Sequence, residues 1–135
     1  HQHLVFYQKL QYYCPSTIKL VVGDTLPTLN FTLKDSNTAA SGKTLDADDS
    51  STWAAVSLSG STVRFRIREV GTTTVLKTIT GSITGASDGE VSVAFPSDTW
   101  TTAGTFEGEI EHTTSGGGIQ TVQDLIKFQV RDDFD

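Results

Sequence analysis

Two stretches of the chain alternate strictly between apolar or small and charged side chains, and this alternation limits the fold more than any other feature. In residues 62–70, Val63, Phe65 and Ile67 interleave with Arg64, Arg66 and Arg68. In residues 104–112, Phe106, Gly108 and Ile110 interleave with Glu107, Glu109 and Glu111. A period of two puts alternate side chains on opposite faces of an extended backbone, so each stretch reads as a strand with one face toward a core. Weaker alternation marks 17–22, 29–34, 91–95 and 125–130, with 74–79 and 118–122 less regular. Turn signals separate these runs: Gly23-Asp24, Asp35-Ser36-Asn37, Gly85, Asp88-Gly89 and the Gly116-Gly117-Gly118 run. About seven or eight short strands without helices predict an all-β, antiparallel β-sandwich.

The two most regular strands carry opposite charges on their outer faces. Neighbouring strands would set the arginine row, Arg64, Arg66 and Arg68, against the glutamate row, Glu107, Glu109 and Glu111. Two other readings stay open: each row is a solvated face, or the charged sheet face meets another subunit.

A chain of 135 residues fits one domain. The body is expected over 16–135. The formal net charge of −6 speaks against nucleic acid, which needs a basic stripe, and against an anionic membrane surface. The single cysteine, Cys14, permits no internal disulfide.

Two segments break the strand rhythm. Residues 1–15 read as an extended N-terminal arm, apolar on every side through Leu4, Val5, Phe6, Tyr7, Leu10, Tyr12 and Tyr13. So much apolar surface asks for cover. The arm either contacts partners, including other copies, or folds back as an extra edge strand. Residues 36–59 read as a long acidic loop around Asp46, Asp48 and Asp49, with Trp53 inside it. Trp53 either anchors that loop or fills a pocket on a partner.

Candidate chemistry is sparse, and the chain is not expected to be an enzyme. An active site gathers titratable groups with shifted pKa values. His1, His3 and His112 are scattered, and Cys14 has no basic neighbour to activate it. Asp46, Asp48 and Asp49 lack the turn glycine and terminal glutamate of a calcium loop. No metal or cofactor is expected. Trp100, after Pro96-Ser97-Asp98-Thr99, reads as a plug at one end of the sandwich.

The order of several motifs is familiar. Gly23-Asp24-Thr25-Leu26-Pro27 leads into Leu29-Asn30-Phe31-Thr32-Leu33-Lys34-Asp35. Then follow Leu58-Ser59-Gly60-Ser61-Thr62 with the arginine strand, Gly89-Glu90-Val91, and Asp98-Thr99-Trp100 before the glutamate strand. Ile119-Gln120-Thr121-Val122 and Lys127-Phe128-Gln129-Val130-Arg131-Asp132 close the set. Over residues 20–132 this resembles the immunoglobulin-like N-terminal domain of the tailed-phage baseplate upper proteins. The long 36–57 segment departs from that family's pattern.

The resemblance implies an immunoglobulin-like sandwich in a structural protein of a tailed bacteriophage virion. Capsid decoration, the neck and the baseplate are all open locations. The implied partners are other phage structural proteins and copies of the chain itself. Leu4, Phe6, Tyr7, Leu10, Tyr12, Tyr13 and Trp53 are the candidate contact residues. The alternative is a carbohydrate- or receptor-binding module of a phage tail, which requires an exposed Trp53 or Trp100 beside a polar groove.

Overall fold

The computed structural model describes residues 4–8, 17–26, 28–46, 48–122 and 125–134. The strands in them are β1 (Leu4–Gln8), β2 (Thr17–Val21), β3 (Leu29–Ala39), β4 (Trp53–Ala55), β5 (Thr62–Glu69), β6 (Val75–Thr80), β7 (Ser82–Gly85), β8 (Glu90–Val93), β9 (Gly104–Thr113), β10 (Ile119–Thr121) and β11 (Ile126–Arg131). One sheet runs β1-β3-β8-β7, with β4 also on β3. The other runs β2-β11-β9-β5-β6, with β10 also on β9. The pairings are antiparallel except that of β2 with β11. Strands β1, β3, β8 and β7 share one sheet, and β5, β9 and β11 share the other. That division defines an immunoglobulin-like sandwich. The described strands exceed the seven or eight expected because β1, β4 and β7 are short and do not alternate clearly.

The inward side of each alternating run makes the core. Val63, Phe65 and Ile67 of β5 are buried, as are Phe106 and Ile110 of β9 and Ile126, Phe128 and Val130 of β11. Leu29, Phe31 and Leu33 of β3 face them with Val91 and Val93 of β8. Each such side chain contributes about 1.5–3 kcal/mol when fully buried. The centre is aromatic. Trp100 is 1% exposed, and its ring lies 4.8 Å from Phe128, 5.4 Å from Phe95 and 5.6 Å from Phe106, centroid to centroid. Trp100 reaches these rings from the loop between β8 and β9, which joins the two sheets.

Glycine matters at two points. Gly108 is buried on β9 beneath the Phe65 ring, which a Cβ there would overlap. Gly89 has φ +70°, and a Cβ would press on the Leu33 carbonyl oxygen. That left-handed turn lets the Gly89 carbonyl accept the Leu33 N–H at 2.8 Å.

The described part of residues 36–59 is organised rather than a structureless loop. The turn expected at Asp35-Ser36-Asn37 is instead a continuation of β3 to Ala39, with a register shift between Asp35 and Ala39. The Asp35 carboxylate accepts the Asn37 N–H at 2.9 Å and the Thr38 hydroxyl at 2.8 Å. Aspartate often bonds the backbone two residues on, and here that bond serves a bulge rather than a chain reversal. The excursion returns through a 3-10 turn, Ser50–Thr52, into β4 on β3. Asp49 caps that turn by accepting the Ser51 N–H at 3.0 Å.

The N-terminal segment has two described parts. Leu4–Gln8 adopts the second of its two possible fates, pairing as an edge strand on β3 from Leu4↔Asp35 to Gln8↔Phe31. Backbone groups of β3 that would otherwise form a sheet edge find partners there. Thr17–Val21 then pairs with the opposite sheet.

Candidate functional site

The outer face of the β2-β11-β9-β5-β6 sheet carries a charged grid. Strands β5 and β9 are neighbours in the register that sets Arg64 opposite Glu111, Arg66 opposite Glu109 and Arg68 opposite Glu107. Arg68 Nε donates to Glu107 Oε2 at 2.7 Å. Lys127 Nζ lies 3.7 Å from the other Glu107 oxygen. Arg66 Nη1 bridges Glu109 and Glu111, at 3.3 Å from each. Arg64 Nη1 lies 3.5 Å from Glu111. The glutamate side chains lie deeper than the arginines: Glu107 is 9% exposed and Arg68 42%.

The ladder is chiefly a register device. Each opposed pair stabilises by about 0.2–1 kcal/mol, and solvent screening keeps exposed pairs in the lower part of that range. A one-residue slip would break every row and turn the apolar face outward. Arg66→Glu should therefore cost about 1 kcal/mol by opposing like charges, and R66E/E109R should recover most of it. Urea unfolding at low and high salt measures both, and the difference should shrink as salt rises.

Trp53 is half-buried in β4, and its indole N–H donates to the Asp46 carbonyl at 2.9 Å. Thr52 Oγ1 accepts the Asp46 N–H at 3.0 Å. Trp53 thus ties the acidic excursion to β4. The side chains of Asp46 and Asp49 accept N–H groups of Asp48 and Ser51, and Asp49 also accepts the Ser51 hydroxyl at 2.7 Å. Those bonds hold the Asp49 carboxyl below the usual carboxylate range. Among the described residues, no three His, Cys, Asp or Glu side chains are grouped to hold a metal ion. Trp100, inside the core, offers no surface for a sugar to stack on.

Of the other candidate contact residues, Leu4, Phe6 and Tyr7 have their backbone in β1. Leu10, Tyr12 and Tyr13 lie outside the described residues, as do His1, His3 and Cys14.

A cleft that the sequence does not announce opens at one end of the sandwich. Its volume is about 430 Å³, and Asp35, Val56, His112, Ile119 and Gln120 are among its lining residues. Asp35 and His112 are buried, on β3 and β9. His112 Nε2 lies 3.0 Å from Ser61 Oγ, while Nδ1 meets no partner among the described residues. Only its place as the next inward position after Phe106, Gly108 and Ile110 could have flagged His112.

Burial lowers the His112 pKa from its ordinary value near 6.5. The neutral ring is therefore favoured in the folded state, while the unfolded chain binds the proton first. Stability from this residue is complete above about pH 6.5 and falls as the pH drops below it. Urea midpoints between pH 7.5 and 5 should fall for the wild type and fall less for His112→Gln.

The fold defines the class: an immunoglobulin-like β-sandwich whose most regular outer surface is a paired charge ladder. No family model matches the chain, and no curated protein matches it. Among solved structures it is similar to CopC from Methylosinus trichosporium OB3b, at 12% identity and a TM-score of 0.47. That alignment covers 100% of this chain and 98% of CopC.

Proposed function

We propose that this domain is a non-enzymatic structural module that makes protein–protein contacts in a tailed bacteriophage particle. The observation that carries the reading is the β5–β9 ladder. The most concentrated titratable groups among the described residues are engaged with one another across an open sheet face. Groups engaged in this way hold a rigid body in one register, as a building block requires. The particle setting rests on the ordered motifs over residues 20–132 and on their resemblance to baseplate upper proteins. Capsid decoration, neck and baseplate remain alternative positions within that reading.

The test is to purify particles from a culture that expresses the chain and to examine them by mass spectrometry and cryo-electron microscopy. Stoichiometric chain, with sandwich-shaped density at symmetry-related positions, supports the reading. Particles that lack the chain overturn it.

A further inference from the structure

We infer that the outer face of the β2-β11-β9-β5-β6 sheet docks, head to tail, on the acidic excursion of a second copy of the chain. The contact rests on the structural role proposed above and gives it one surface and one partner. The alternating burial of the strands fixes which charged side chains point outward on this sheet. They are Lys19 on β2, Lys127 and Arg131 on β11, Arg64, Arg66 and Arg68 on β5, and Glu107, Glu109 and Glu111 on β9. Six cations thus share the face with three carboxylates, a surplus of three positive charges on a chain whose formal net charge is −6.

The surplus is presented outward. Glu107 is shared by Arg68 and Lys127, and Glu111 by Arg64 and Arg66, with the carboxylates less exposed than the cations over them. Lys19, Lys127 and Arg131 are exposed in the folded chain. Lys19 has no ion-pair partner among the described residues. A guanidinium carries five N–H donors, and the ladder engages only Nη1 or Nε of each arginine. Donors therefore remain for incoming carboxylates, which form strong charge-assisted bonds with arginine.

The chain carries a matching surface. Residues 40–52 hold Asp46, Asp48 and Asp49 against one cation, Lys43. All three aspartates are exposed. The bonds from the Trp53 indole and to Thr52 fix the backbone that presents them. This excursion leads into β4, which belongs to the other sheet. The cationic face looks away from that sheet, so the two surfaces of one chain do not meet. Two cationic faces would repel each other, which disfavours a face-to-face pair. Face against excursion is a heterologous contact that propagates from copy to copy, as a ring or a filament. A nucleic acid fits less well, because its unbroken line of phosphates would meet Glu109 and the chain's net negative charge. Small charged contacts of this kind are weak singly, and repetition on a particle would strengthen them through high local concentration.

Sedimentation equilibrium of the full chain at low salt should show open-ended, concentration-dependent association that fades as salt rises to about 0.5 M. K19E/Q129E cancels the surplus on the face without touching a ladder bond and should weaken association about tenfold. T44K/D48K makes the excursion cationic and should do the same. Mixed together, the two variants should pair one to one and go no further. Only the intact face of T44K/D48K then meets the intact excursion of K19E/Q129E. A wild type that stays monomeric at about millimolar concentration overturns the inference. So does a variant that associates like the wild type, or a mixture that stays monomeric. Dispersal of the wild-type assembly by equimolar duplex DNA would assign the face to a polyanion and also overturns it. Failure of this contact leaves the chain's presence in particles unaffected, whereas absence from particles fails the assembly reading itself.

Discussion

Trp100→Ala should destabilise the domain by about 4 kcal/mol, one of the two largest effects expected of a single substitution here. The ring is 1% exposed and packs against Phe95, Phe106 and Phe128, which come from a loop, β9 and β11. Truncation to alanine leaves a cavity that these strands cannot close without breaking their ladders. The backbone contribution survives, because the Trp100 carbonyl still accepts the Gly23 N–H at 2.9 Å. Trp100→Phe should cost clearly less. It keeps most of the volume, and the buried indole N–H meets no acceptor among the described residues that the change would orphan. Chemical denaturation with a far-UV readout gives both values. A loss below about 1 kcal/mol for the alanine variant would remove Trp100 from the centre of the core.

Gly108→Ala should cost about 3 kcal/mol, an unusually large value for adding a single methyl group. Gly108 is buried opposite Ile67 in the β5–β9 pair. A Cβ there would run into the Phe65 ring. That ring cannot give way easily, because it packs edge-on against Phe128 at 5.9 Å and Phe95 at 6.2 Å. Alanine's lower backbone entropy in the unfolded chain would favour the variant by about 0.4–1 kcal/mol, so the clash must outweigh that gain. F65L/G108A should recover part of the loss by making room above the new methyl. A G108A variant as stable as the wild type would show that Phe65 has somewhere else to go.

The sandwich was legible because alternation is a local property. Val63, Phe65 and Ile67 on one parity and the arginines on the other leave a strand one way to face its core. Even the pairing of β5 with β9 could be anticipated, since unlike charges on two regular strands suggest adjacency. Local cues were less useful where the backbone departs from regular geometry. Asp35-Ser36-Asn37 has turn chemistry, yet β3 runs through it with a bulge. Trp53-Ala54-Ala55 has no readable period, yet β3 offers it a ladder to join. The cleft with Asp35 and His112 had no motif at all, because its walls come from segments distant in sequence.

By itself the sequence determined which side of each strand is apolar, where most chain reversals fall and which charges could oppose one another. These follow from the two-residue period of an extended backbone and from the conformations glycine allows. Only the tertiary structure decided that Trp100 packs among Phe95, Phe106 and Phe128, that Trp53–Ala55 folds back onto β3, and that Leu4–Gln8 joins one sheet while Thr17–Val21 joins the other. Those outcomes depend on which strand edges and apolar faces come within reach once the two sheets have packed. That relation holds between distant residues, and no local pattern encodes it.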